Sequence, residues 1–306
     1  MPFFKSKEQI AALLGVGIVL AIILYAVISG YKDNAIPLDN AYKNIVEKKK
    51  ILAQMRIHLS KSVEMEKNAV MATADEEAMD FAGQSRAAAA AVEQDLKTMG
   101  ALVDAIPLQD EKKLMDEFTT CWAELGKLDQ VILELAVENT NLKAASLSRE
   151  KGAETIRKFE QALEKIIPAY ADTPNANQVT GLICRALTAG LKMYNLHGPH
   201  IAEASDGNMD RIEARMRAEE NEVAQSFAAL DTIGGAESRE AVSQAKAAFA
   251  EFMEVTSSVL KLSRQNSNVK SLELSLGRKR KTAAQCDEIL ATFQETVQSR
   301  TFKATR

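Results

Sequence analysis

The sequence predicts an all-α protein: an N-terminal transmembrane helix followed by tandem four-helix-bundle-like repeats that form an elongated helical body. Three observations carry that reading. A 19-residue run without charge, Ile10 to Ile28, stands near the start of the chain. The body places apolar residues at helical spacing, as in Phe118, Trp122, Leu125, Leu128, Ile132 and Leu135. The body also repeats itself. Val92, Leu96 and Met99 return 131 residues later as Val223, Phe227 and Leu230. Trp122, Leu125, Leu128, Ile132 and Leu135 return 127 residues later as Phe249, Phe252, Val255, Val259 and Leu262. The polar segment Glu138-Asn139-Thr140-Asn141-Leu142-Lys143 is answered by Gln265-Asn266-Ser267-Asn268-Val269-Lys270. A fixed offset over this length marks a duplicated helical unit.

The elements follow in order. Residues 1–9 are a short tail and residues 10–28 the span, flanked by Lys5, Lys7 and Glu8 on one side and Lys32 and Asp33 on the other. At ~1.5 Å per residue the run just crosses a ~30 Å hydrocarbon core. It is long for a signal-peptide core, and Ser29-Gly30-Tyr31-Lys32 is a poor cleavage site, so an uncleaved anchor is expected. Lysines lie on both sides of the span, so the charge rule leaves the body open to either the periplasmic or the cytoplasmic face of the bacterial inner membrane. No second run of spanning length follows Ile28, and the body is rich in strong helix formers.

Breakers divide that body into repeat 1 (38–167), a linker (168–178) and repeat 2 (179–306). Thr73-Ala74-Asp75-Glu76-Glu77 suits a helix start, Ile106-Pro107-Leu108 a break, and Ser205-Asp206-Gly207-Asn208 and Gly234-Gly235 turns. With breaks at Asn139/Asn141 and Asn266/Asn268, each repeat reads as four helices of about 28 residues, enough for a bundle. The competing reading runs through the weaker breaks and gives two long helices per repeat.

Composition narrows the chemistry. Net charge is −4, with no general pull toward nucleic acid. Cys121, Cys184 and Cys286 form an odd, scattered set without a C-x-x-C pattern, which points to buried free thiols, Cys121 foremost. His197, His200 and Glu203 have the only ligand-like spacing, suited in principle to zinc, iron or copper, although a helix-start or kink role around Gly198-Pro199 is the stronger reading. Phosphate-cradling, nucleophile-elbow, haem and dinucleotide motifs are missing, so neither catalysis nor a cofactor is expected. Lys48, Lys49 and Lys50 with Arg278, Lys279, Arg280, Lys281, Arg300, Lys303 and Arg306 are candidate contacts to anionic lipid, set against an ordinary solvated helix face.

Met55-Arg56-Ile57-His58-Leu59-Ser60-Lys61-Ser62 resembles the first-helix segment of enterobacterial amino-acid chemoreceptors, and Glu138-Asn139-Thr140-Asn141-Leu142 resembles their segment between the third and fourth helices. Glu66-Lys67-Asn68 and Asp75-Glu76-Glu77 are similar to the wider four-helix-bundle sensor family of methyl-accepting chemotaxis proteins. The duplication is similar in layout to helical bimodular sensor domains. The resemblance implies a homodimer in which Arg56 binds a ligand carboxylate across the interface, with Lys61 as a second basic residue. Chemoreceptors continue into a second span, a linker module and a signalling hairpin. None is found in these 306 residues, so the body is expected to act through partner proteins.

Three functions fit. The first is a non-enzymatic, single-pass anchored helical scaffold on a chemoreceptor-type sensor fold, organising protein partners at the inner membrane. The second is an accessory chemosensory protein that recognises a small carboxylate near Arg56. The third is a BAR-like scaffold on the cytoplasmic leaflet, associated with curvature and aligning organelles or filaments.

Overall fold

The structure, a computed structural model, describes residues 7–233 and 236–304, with side chains described outside 7–19, 26–38, 236–237 and 301–304. All described elements are helical. They are α1 (Lys7–Met71), α2 (Asp75–Ala105), α3 (Gln109–Glu138), α4 (Thr140–Leu147), a π turn (Ser148–Gly152), α5 (Ala153–Glu164), a 3-10 turn (Ile167–Tyr170), α6 (Ala176–Ala202), α7 (Asp206–Ile233), α8 (Ala236–Gln265), α9 (Ser267–Leu274), a second π turn (Ser275–Lys279) and α10 (Arg280–Ala304).

Local chemistry explains the boundaries. Asp75, Glu76 and Glu77 fill the first turn of α2, and Asp110 and Glu111 that of α3, where carboxylates oppose the positive end of the helix dipole. Pro107 has no N–H to continue α2, and the residue before it is biased away from helix. The anticipated Gly234-Gly235 turn lies outside the described residues. The expected span, Ile10–Ile28, is helical within α1; only Leu20–Tyr25 of it have described side chains, and all six are exposed. Among the described residues no helix is long and apolar enough to cross a membrane.

The chain divides into two compact units: Met1–Lys61 with Ala87–Ala123 and Ala283–Arg306, and Ser62–Arg86 with Glu124–Thr282. Each draws helices from both sequence repeats. In the first unit α1, α2 and α3 close a bundle with α10, around buried Leu52, Met55, Val92, Met99, Phe118, Leu290, Phe293 and Val297. Contacts run 48 to 111, 111 to 300 and 56 to 287, so α10 lies antiparallel to α1. Cys121 of α3 and Cys286 of α10 are joined in a disulfide. This corrects the expectation of free thiols at both positions: an odd cysteine count does not preclude one bridge, and only Cys184 is free among the described residues.

In the second unit the same exchange occurs in reverse. Helices α4 and α5, from repeat 1, pack with α6, α7 and α8 of repeat 2. Phe159, Phe227, Phe249 and Phe252 form an aromatic cluster with centroid distances of 5.1–6.4 Å. Gly190 admits it, because a β-carbon there would stand 3.0 Å from the Phe159 ring.

The exchange is made at two single-residue breaks. Asn139 (φ 50°) and Asn266 (φ 56°) are the non-glycine residues with positive φ among those described, 127 positions apart. Asparagine tolerates this left-handed conformation better than most side chains. Helix resumes at once on either side, so the structure falls between the eight-helix and the long-helix readings. The new N-termini cap one another. The Thr140 N–H donates to Ser267 Oγ (3.0 Å) and the Ser267 N–H to Thr140 Oγ1 (3.0 Å). The Asn141 N–H donates to Asn268 Oδ1 (3.1 Å) and the Asn268 N–H to Asn141 Oδ1 (3.2 Å). Asn141 Nδ2 then donates to Asn266 Oδ1, and Asn268 Nδ2 to Asn139 Oδ1. A local two-fold symmetry relates the two halves of this layer.

Thr140→Ala and Ser267→Ala should each lower stability by roughly 1–3 kcal/mol, since each leaves a buried N–H without its acceptor. The double variant should lose less than the sum, by about 0.5 kcal/mol or more, because the two hydroxyls also bond each other. Urea unfolding of the full chain reads both quantities, and strictly additive losses would contradict reciprocal capping.

Candidate functional site

Arg56 projects from α1 toward α10 in the first unit. Its Nε and NH2 reach Asp287 Oδ1 (2.8 Å) and Oδ2 (3.0 Å), and NH1 reaches Gln294 Oε1 (3.3 Å). A planar guanidinium fork matches a carboxylate in this bidentate way. The pair is at the surface, with side chains 38% and 44% exposed. The hydrogen bonds it donates to Asp287 raise the Arg56 pKa further, against a smaller loss from burial. Lys61 is exposed at the end of the same unit's α1 segment, one and a half turns on, and does not share Asp287. Neighbouring His58 bonds Asp95 of α2 through Nδ1 (2.7 Å). The fork thus already holds a carboxylate, supplied by the protein itself.

The basic residues considered for lipid contact separate into distinct environments. Lys48 is buried, its ammonium 2.7 Å from Glu111 Oε2, both side chains 1% exposed. Lys279 is buried as well, against Glu66 and Asp129. Neither can reach a headgroup, because extracting an ammonium from a buried pair strands its partner's charge. Arg278 pairs with Glu124, and Arg300 with Asp110 and Glu111. Lys49 is half-buried, while Lys50, Arg280 and Lys281 are exposed. The side chain of Lys303 and all of Arg306 lie outside the described residues.

The histidine pair occupies the core of the second unit. Helix α6 runs through Gly198-Pro199 to Ala202, so no helix starts there. The three residues with ligand-like spacing keep separate partners. His197 bonds Ser148 Oγ (2.9 Å) and Thr256 Oγ1 (3.1 Å), while Glu203 accepts the Ser205 N–H. His200 Nε2 faces Glu213 Oε1 (3.0 Å), which also takes Arg264 Nε (2.7 Å). Ser263 donates to the His200 carbonyl, so its oxygen is the acceptor for His200 Nδ1. The two ring nitrogens of His200 are thus placed against Ser263 and Glu213. Arg264, more than His200, holds the Glu213 carboxyl below its usual range, against an opposing effect of burial. Among the described residues no group of three or more His, Cys, Asp and Glu side chains is placed to hold a metal ion.

Sequence reasoning missed the Asp287–Gln294 partners of Arg56 and the acidic partners of Lys48 and Lys279. Asp287 is 231 positions from Arg56 and Glu66 is 213 from Lys279, so no local spacing announces either pair.

Burial, with the charge of His200 adding to it, pushes the His197 pKa from 6.5 down to about 4. A histidine pKa depressed by folding contributes stability that is complete above 6.5 and is lost as pH falls toward the folded value. The loss should be on the order of 3 kcal/mol across that window. His197→Gln should remove this component, read as a flatter dependence of the urea midpoint on pH. An unchanged slope would show that His197 does not titrate between the two values.

Two comparisons with known proteins bear on this arrangement. A family model described as a four helix bundle sensory module for signal transduction matches residues 7–175, more than half of the chain. No curated protein matches the chain.

Proposed function

Because the chain belongs to the family of four-helix-bundle sensory modules for signal transduction, we propose that it is a membrane-anchored, non-catalytic sensory body. In this reading it recognises a small carboxylate at Arg56 and passes its state to partner proteins at the bacterial inner membrane.

The observation that carries the proposal is the Arg56–Asp287 fork. An internal carboxylate holds the guanidinium at a half-exposed site between α1 and α10. A ligand carboxylate that takes this place exchanges one anion for another, so little desolvation opposes it. It also frees Asp287 and Gln294 from α1, which turns occupancy into a change in how α10 is held. Lys61 on the same helix segment supplies a second positive charge for a dicarboxylate.

The charge-free run Ile10–Ile28 supports an anchor, since it just suits the hydrocarbon thickness and the described Leu20, Ile22, Ile23, Leu24 and Tyr25 are all exposed. The Cys121–Cys286 disulfide favours the periplasmic side, because such bridges persist in oxidising compartments and are rare in the cytosol. A homodimer fits α1, where Tyr42, Val46, Ala53 and Ile57 form one exposed stripe beside Arg56. A second copy seated there would also meet the role of a scaffold that organises partners. The BAR-like alternative loses support, since Lys48 and Lys279 are buried and Arg278 and Arg300 are paired with acids.

Thermal unfolding of the full chain against a panel of small mono- and dicarboxylates tests this reading. At about a hundred times the dissociation constant a ligand adds roughly 2.7 kcal/mol. At least one carboxylate should raise Tm by several degrees in the wild type and leave Arg56→Ala unmoved. No stabilisation of the wild type by any member of the panel would contradict it.

A further inference from the structure

The second unit holds a layer of charge in its core. Glu66 of α1, Asp129 of α3 and Lys279 at the end of the second π turn are 0%, 7% and 1% exposed. Lys279 Nζ lies 2.6 Å from Glu66 Oε2 and 2.7 Å from Asp129 Oδ1. Two carboxylates against one ammonium leave the layer one negative charge in excess. Its hydrogen bonding is incomplete in the same sense. Only the Glu66 contact has hydrogen-bond geometry, and Glu66 Oε1 and Asp129 Oδ1 accept no hydrogen bond. Buried oxygens of this kind are rare in native folds, and an uncompensated buried charge is resolved most readily by taking up a proton.

The duplication supplies an internal comparison. At the repeat offsets of 131 and 127, Glu66, Asp129 and Lys279 answer to His197, Thr256 and Gly152. There the polar layer consists of His197 bonded to Ser148 and Thr256, without a carboxylate. Both π turns begin on a buried serine, Ser148 and Ser275, and span equivalent positions. The π turn and its packing therefore form without an ion triplet. The extra carboxyl is a property of one half, and its asymmetry is what needs a role.

We propose that the Glu66–Asp129–Lys279 layer is a proton-binding site, in which uptake of one proton by the two carboxyls neutralises the layer and tightens the docking of the π turn on α1 and α3. Asp129 is the residue that takes the proton. Burial raises its pKa, opposed by the ammonium of Lys279 and reinforced by the charge of Glu66. Lys279 of the π turn and Glu66 of α1 are the charged groups that act on it. A carboxyl raised by folding binds its proton more tightly in the folded chain than in the unfolded one. The layer therefore adds stability at the acidic end, and that stability is lost as pH rises through the raised value. The sign is opposite to that of His197, so the two must be separated experimentally.

The test uses the full chain in nanodiscs, with His197→Gln as the parent. Urea midpoints are recorded between about pH 4, near the ordinary carboxylate value, and pH 8. The difference between the parent and the same chain carrying Asp129→Asn should change with pH, the variant gaining on the parent toward alkaline pH. Parallel profiles would overturn the proposal. Carbon-13 NMR of the Asp129 carboxyl in the unsubstituted chain gives a second reading that does not depend on any variant folding. A titration above the ordinary aspartate range supports the site, and one at or below that range overturns it.

Discussion

The reciprocal capping of α4 and α9 is the interaction on which the rest of the molecule depends. A helix broken by one residue exposes N–H groups at its new start, and burial leaves them without water. Neither break supplies its own cap: Asn139 and Asn266 make no side-chain cap to their own helices. Thr140, Asn141, Ser267 and Asn268 do it for each other across the local two-fold, so each break is stable only in the presence of the other. Asn141 and Asn266 also donate to the carbonyls of Ile201 and Glu203, which ties the end of α6 into the same layer.

This layer explains what the duplication preserves. Repeat 1 divides α1, α2 and α3 between the two units and gives α4 and α5 to the second; repeat 2 gives α6, α7 and α8 to the second unit and Ala283–Arg306, in α10, to the first. The Cys121–Cys286 bridge fastens the returning helix to α3, and the Arg56–Asp287 fork holds it to α1.

Much of the fold was legible in the chain. Asp75-Glu76-Glu77, Ile106-Pro107-Leu108 and Ser205-Asp206-Gly207-Asn208 mark helix limits because their chemistry is local: charge against the dipole, a missing N–H, turn-forming side chains. The Asn139 and Asn266 segments stood out through their repetition, but a left-handed residue within a helix and a full turn have the same composition. Helix exchange was hidden for a more basic reason. The apolar stripes of the two repeats are alike, so α5 and α10 carry no evident preference for either set of partners. The candidate site was legible at Arg56 only. Lys48 and Lys279 read as surface lysines because Glu111 and Glu66, which neutralise them, are 63 and 213 positions away. His197 and His200 had the spacing of ligands, yet the helix aims them at hydroxyls and at Glu213 rather than at one point.

Peptide mapping of the native chain under non-reducing conditions tests the exchange most directly, because the cystine joins a repeat 1 helix to a repeat 2 helix. The account predicts a single linked species containing Cys121 and Cys286, with Cys184 recovered as a free thiol. Recovery of Cys121 and Cys286 as free thiols after export to an oxidising compartment, or a bridge from either to Cys184, would contradict it.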